Sequence, residues 1–176
     1  MNKLELKFCG NPVLREKSSP IEKITPEVLQ ILDEMVNIMD YEDGIGLAAP
    51  QVGILQRFVI IKCKLENDKE PQIYKIINPK ILDKSEEQVV IEEGCLSVQD
   101  ESGPVYAEVS RPKSVVIEWL DEQGVIHNKN ISGIPARIFQ HEIDHLDGKL
   151  FIDYLSSVKR EMVMNKVKKR KDKVSV

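Results

Sequence analysis

The chain has 176 residues, 41% of them hydrophobic and 31% charged, the composition of a single globular domain with room for a sizeable core. No stretch approaches the roughly 20 apolar residues of a membrane span, residues 1–7 lack the apolar run of a secretory leader, and three widely spaced cysteines, Cys9, Cys63 and Cys95, argue against a disulfide framework and for a reducing, cytoplasmic setting. The formal net charge of −4 hides an uneven distribution: between 159 and 173 eight Lys or Arg stand against two Asp or Glu, a local +6, which leaves −10 on the rest.

The first element in chain order is a helix opened by Thr25-Pro26. Threonine can cap the free amides of a first turn, and proline suits the first helical position. Val28, Ile31, Leu32, Met35, Val36 and Met39 then fall on one face, and Asp43-Gly44 ends the run. β-Branched segments at 57–63 and 75–77 read as strands, the second broken by Asn78-Pro79. Segments 88–92, 105–109 and 115–120 follow. Residues 121–124 form the turn of a hairpin that returns through 125–131. Ile134-Pro135 opens a second helix, stopped at Gly148, and a last helix starts near Leu155 and runs into the basic tail. Strands in the middle and helices late point to an α+β fold. The expected arrangement is mixed or antiparallel strands around a central metal-binding helix, with an N-terminal and a C-terminal helix. Residues 1–165 are expected to form one catalytic domain and 166–176 a basic tail, either disordered or directed at an anionic partner.

The chemistry concentrates in Gln140-His141-Glu142-Ile143-Asp144-His145. Residues four apart share a helical face, so His141 and His145 can aim both imidazoles at one ion, and Glu142 can reach a nucleophilic water. A hydrolytic metal site needs a third protein ligand. The metzincin position, six residues after His145, is Phe151. Glu161, the candidate in a thermolysin-like arrangement, opens the Lys-rich tail. His127 lies in a polar hairpin strand. Cys95 remains, just after an apolar strand run in Glu92-Glu93-Gly94-Cys95-Leu96-Ser97, and reads either as a thiolate ligand or as the small buried residue that most free cysteines are.

Three segments together resemble the peptide deformylases: Gly44-Ile45-Gly46-Leu47-Ala48-Ala49-Pro50-Gln51, Glu93-Gly94-Cys95-Leu96-Ser97 and Gln140-His141-Glu142-Ile143-Asp144-His145-Leu146. Their order and spacing also match, and the likeness extends from Gly10-Asn11-Pro12 to Asp153-Tyr154-Leu155. The resemblance implies a divalent ion held by Cys95, His141 and His145, natively Fe2+, with Zn2+, Ni2+ or Co2+ as substitutes in purified protein. It implies N-formyl-methionyl peptides as substrates, Glu142 as the proton carrier, and the Gln51 side-chain amide with the Leu96 backbone N–H as oxyanion donors. It further implies that Ile45, Gly46 and Gly94 line the substrate cleft, the glycines leaving backbone room for an extended peptide, with Ile45 and Ile138 as candidates for the methionine pocket. Arg111 is expected either to contact the peptide or, in preference, to pair with a carboxylate, and Glu93 to support the site from behind or to hold the structure. The late helix resembles the bacterial type whose C-terminal extension docks on the ribosome; no DNA or membrane partner is expected. One departure stands out: Gln99-Asp100 replaces the proline found after this motif in many relatives of this type, which leaves the shape of the loop to Gly103 open. Two other functions compete with this one. A zinc endopeptidase would draw its third ligand from a residue other than Cys95, and a non-enzymatic ribosome-associated module would rely on the tail alone.

Overall fold

The computed structural model of the chain describes residues 4–174, of which 168–174 are described as backbone alone. Helix α1 (Pro26–Tyr41) begins where Thr25 accepts the Val28 amide at 3.5 Å, with Pro26 in the first turn. It buries Val28, Leu32, Met35 and Met39, the face that the 3.6-residue period predicts. Strands β1 (Gly46–Ala48), β2 (Phe58–Cys63), β3 (Gln72–Lys84), β8 (Ser114–Leu120) and β9 (Ile126–Ser132) form one sheet in the order β1-β2-β3-β8-β9. A second ribbon pairs β4 (Gln88–Glu93) with β7 (Ala107–Pro112), and a short one pairs β5 (Gln99–Asp100) with β6 (Gly103–Pro104). Every pairing between these strands is antiparallel. Helix α2 (Gly133–Leu146) crosses the sheet, and helix α3 (Ser157–Val174) closes the chain. The α+β expectation holds.

Alternation is lost in β2 because both faces of the sheet are covered. Phe58 and Ile60 pack with α1, while Val59 and Ile61 pack with α2 through Ala136, Phe139 and Ile143. Burial of side chains of this size contributes about 1.5–3 kcal/mol each, so the double cover is what holds α2 in the middle of the molecule. A third apolar cluster joins Cys95, Val98, Val105 and Val109 to Leu150, Phe151, Ile152, Val163 and Val167. It ties the start of α3 to the turn that carries the cysteine.

Two strand expectations are corrected. Asn78-Pro79 does not end β3, which runs 13 residues with a register shift between Ile77 and Lys80. Proline lacks a donor, but within a bulge no ladder bond is required of it. Asn78 takes a positive φ of 51° and clamps Ile21 with both side-chain atoms, at 2.8 and 2.7 Å. The strand expected at 105–109 is Ala107–Pro112 instead, because the Val105 amide is committed to Val98 O at 2.9 Å. The segment after the cysteine motif is well defined: Gln99 and Asp100 pair with Pro104 and Gly103, and Asp100 accepts from the amide and hydroxyl of Ser102. As far as Val174 the basic tail from 166 continues α3; residues 175 and 176 lie outside the described residues.

Candidate metal centre

Ten of the fourteen residues of α2 are buried, among them Arg137, Gln140, His141, Glu142 and His145. Buried polar groups are expensive unless partnered, so each has to be accounted for. Gln140 donates to Pro112 O at 3.0 Å and to Ala136 O at 3.1 Å. Arg137 donates to Glu93 Oε1 at 2.6 Å, to Val109 O at 3.0 Å and to Val89 O. His141 donates from Nδ1 to Glu93 Oε2 at 2.9 Å. Two atoms are left without a partner on this helix, Glu142 Oε2 and His145 Nδ1.

The remaining ring nitrogens converge with a sulfur. The donor atoms of Cys95, His141 and His145 lie within 4.8 Å of one another, all buried, and Cys95 Sγ is 3.3 Å from His145 Nε2. A tetrahedral cation at about 2.3 Å from sulfur and about 2.0–2.1 Å from nitrogen needs donors roughly 3.5 Å apart, so the set fits a metal ion. The imidazole rings meet edge to face at 73° with centroids 5.0 Å apart, and the Phe151 ring stacks with His141 at 22° with centroids 6.2 Å apart. Cys95 reaches this position from the turn after β4, closed by Val98 N–H donating to Cys95 O at 2.9 Å.

Glu93 anchors the cluster. It is bonded by Arg111 through Nε (2.6 Å) and Nη2 (3.0 Å), by Arg137 and by His141. Burial would raise its carboxyl, but the hydrogen bonds from His141 and Arg111 and their charges hold it down at about 2. Arg111 continues to Asp144 at 2.7 Å, which also accepts Tyr154 OH at 2.8 Å. Burial opposes charge on His141, yet the hydrogen bonds and charges of Cys95 and Glu93 outweigh it and raise its pKa, whereas burial and the His141 charge lower that of His145. Burial also lifts Glu142 to about 7, opposed by the His141 charge and reinforced by Glu93.

Gln51 sits in a single helical turn after β1. Its carbonyl accepts the Ala48 amide at 2.8 Å, which turns its NH2 toward Ser97 Oγ at 3.1 Å and Cys95 Sγ at 3.6 Å. An amide so oriented presents only donors to the cysteine side. A cleft of about 320 Å³ opens over these groups, bordered by Ile45, Gly46, Gly94, Leu96, Tyr106 and Ile138. Each glycine makes room for a group of this chain. A β-carbon on Gly46 would overlap the Glu142 carboxylate, and one on Gly94 would lie 2.5 Å from the Tyr106 ring.

Glu161 is exposed on α3. His127 is bonded to Asp121 at 2.7 Å and stacked on Trp119, so neither joins the cluster. Arg111 pairs with carboxylates, in line with expectation. Arg137, Ser97 and Tyr106 were not singled out from the sequence. Arg137 carried a usable signal, a cation within the apolar run Ala136 to Phe139 of a helix destined for burial.

A sequence profile described as polypeptide deformylase matches residues 4–161. A peptide deformylase of Rhizorhabdus wittichii is 46% identical over 165 residues, covering 90% of each chain. The crystal structure of peptide deformylase from Ehrlichia chaffeensis superposes with a TM-score of 0.89 at 35% identity, covering 98% of this chain and 99% of that one. A second Ehrlichia chaffeensis structure, in complex with actinonin, gives 0.86 at 36% identity and covers 96% and 98%.

Proposed function

The chain belongs to the polypeptide deformylase family, and on that premise we propose how its residues carry out the family's reaction, the metal-dependent hydrolysis that frees formate from an N-formyl-methionyl peptide. Cys95, His141 and His145 hold the ion, Glu142 moves the proton, and Gln51 with the Leu96 backbone N–H receives the developing negative charge. The observation that supports this reading best is the convergence of three buried donors beside a buried carboxylate with one oxygen unpartnered.

A divalent cation bound there supplies Lewis acidity, lowering the pKa of water towards about 7 and polarising the formyl oxygen. Glu142 takes the proton of the attacking water on Oε2 and delivers it to the amine nitrogen as the C–N bond breaks, so formate and a free amine leave together. The Gln51 amide donates to the carbonyl oxygen as it gains charge; one such donor is worth about 2.7–4 kcal/mol in the transition state. Ile45, Gly46 and Gly94 border the path of the peptide, and Ile45 and Ile138 offer the apolar surface for its methionine.

The thiolate ligand suits a softer ion, and we assign Fe2+ as the native metal, replaceable by Zn2+, Ni2+ or Co2+. Residues 1–165 are assigned as the catalytic domain. No helix among the described residues is long and apolar enough to cross a membrane, and we place the protein in the cytoplasm. The Lys- and Arg-rich end of α3 is assigned to ribosomal RNA phosphate, a contact that weakens steeply with salt.

Formate release from formyl-Met-Ala-Ser tests the reading. Metal-replete protein turns the peptide over, while Glu142→Ala keeps its metal and loses most turnover. No formate from metal-replete protein would overturn the assignment.

A further inference from the structure

The bonds behind the metal cluster can be followed outward to Tyr154, a residue the proposed reaction does not use. Glu93, which receives His141, takes the Nε and Nη2 donors of Arg111 at 2.6 and 3.0 Å. The third arm of the guanidinium, Nη1, donates to Asp144 Oδ2 at 2.7 Å, and the Tyr154 hydroxyl donates to the same oxygen at 2.8 Å. The Tyr154 ring also lies against Arg111, whose Cζ is 4.6 Å from the ring centroid. Arg111 is 2% exposed and Tyr154 46%, so an exposed ring covers a buried cation. Tyr154 is itself pinned on both sides. It ends the helical turn Phe151–Tyr154, directly after Asp153, which pairs with Arg15 and with Arg160 of α3, and before Leu155, packed on the third apolar cluster.

Charge explains why Asp144 has to be held. The carboxylates of Glu93 and Asp144 balance the guanidiniums of Arg111 and Arg137. The Asp144 side chain is 14% exposed, the most of the four, so water competes for it. With Asp144 turned to solvent, two buried guanidiniums would face one carboxylate beside a site for a dication, and Arg111 Nη1 would lose its partner. Like charges repel more strongly in the interior than in water, and a buried donor left unpaired is costly. A phenol holds Asp144 in place without adding a charge, and its ring favours the guanidinium as well. Burial and the Asp144 charge lift Tyr154 to about 12, so the hydroxyl stays a donor at working pH.

We propose that Tyr154 is a positioning residue for the metal centre: by holding Asp144 on Arg111 it keeps Glu93 aligned on His141, and so keeps His141 Nε2 aimed at the ion. It acts through Asp144, Arg111 and Glu93, not by contact with substrate. The proposal rests on the reading of Cys95, His141 and His145 as ligands and adds a residue that secures one of them from the root of α3.

The test measures Zn2+ affinity by chelator competition in the parent protein, in Tyr154→Phe, in Asp144→Asn and in the double variant, together with the visible bands of each protein loaded with Co2+. Phenylalanine keeps the ring over Arg111 and removes only the hydroxyl. A direct partner of a ligating histidine is typically worth 10–100-fold in metal affinity, and Tyr154, further out, is expected to cost about three- to tenfold. The Co2+ bands shift in the same variant. A residue that served folding alone would lower the melting temperature and leave the affinity and the bands where they were. In the Asp144→Asn background Tyr154→Phe adds little, because its partner is already gone. Unchanged Zn2+ affinity or unchanged Co2+ bands in Tyr154→Phe would overturn the proposal even if Asp144→Asn could not be purified, and so would an undiminished loss in the Asp144→Asn background. A parent protein that fails to bind Zn2+ would refute the metal-centre reading instead.

Discussion

His141 Nδ1 lies 2.9 Å from Glu93 Oε2, and the carboxylate that receives it is 6% exposed and clasped by two arginines. An ionised carboxylate only accepts, so the ring proton sits on Nδ1 and the Nε2 lone pair is left for a cation. With His141 as the proposed ligand, Arg111 and Arg137 thus act on it through Glu93. Glu93→Gln leaves two buried guanidiniums short of a counter-charge, and outer partners of this kind are typically worth 10–100-fold in metal affinity. A chelator-competition titration is expected to show a loss of about that size; unchanged affinity in the variant would remove Glu93 from this role.

The two glycines of the cleft predict unequal effects. Alanine at Gly46 collides with the Glu142 carboxylate, whose Cδ would lie 2.8 Å away. The carboxylate must shift, and a misplacement of about 1 Å costs on the order of 10²-fold in rate, with metal content unchanged. Alanine at Gly94 collides with the Tyr106 ring, which is 60% exposed and can swing outward. Steady-state kinetics of both variants should give the larger kcat loss for Gly46→Ala.

Gln51 is held by Ala48 and Ser97 so that its NH2 faces the sulfur. Gln51→Ala removes a donor without removing a ligand. The expected result is a kcat lower by about 10²–10³-fold with the metal still bound, measured by formate release alongside metal analysis. A change in KM alone would mean that Gln51 helps only to hold the substrate.

Asp153 ties three segments together. It accepts from Arg15, from Arg160 at 2.8 Å and from the Leu150 amide at 2.9 Å. Burial pushes its carboxyl up, but the bond from Arg15, the Leu150 amide and the nearby charges hold it below the ordinary value. A carboxyl lowered by folding contributes stability above its unfolded pKa of about 4, and that contribution is lost as pH falls through the folded value. Asp153→Asn is therefore expected to lower stability by about 1 kcal/mol at pH 7, with the gap to the parent closing towards pH 3. Thermal melts at both pH values check this; a gap equal at both would show that charge is not the cause.

The parts of the site legible in sequence are those that depend on spacing. His141 and His145 are four apart on a helix, and the period alone puts both on one face. The 3.6 period also located α1 and α2, while β-branched runs and the turn at 121–124 located β2, part of β3, β8 and β9. Cys95 carries no period and was reached by elimination, once the helix lacked a third ligand, before the family resemblance supported it. What stayed hidden is non-local. β1 has three residues, too few for a pattern, and exists because β2 pairs with it. Asn78-Pro79 reads as a break, yet Asn78 is held in a bulge by Ile21, 57 residues away in sequence. Gly46 and Gly94 suggest room for a ligand, whereas the contacts that require them come from Glu142 and Tyr106 of the chain itself.

X-ray absorption at the metal edge, on protein purified without oxygen, tests the centre most directly. The arrangement of Cys95, His141 and His145 predicts one ion per chain with one sulfur neighbour at about 2.3 Å and two nitrogen neighbours at about 2.0–2.1 Å. An ion with no sulfur in its shell, or one retained in full by Cys95→Ala, would contradict it.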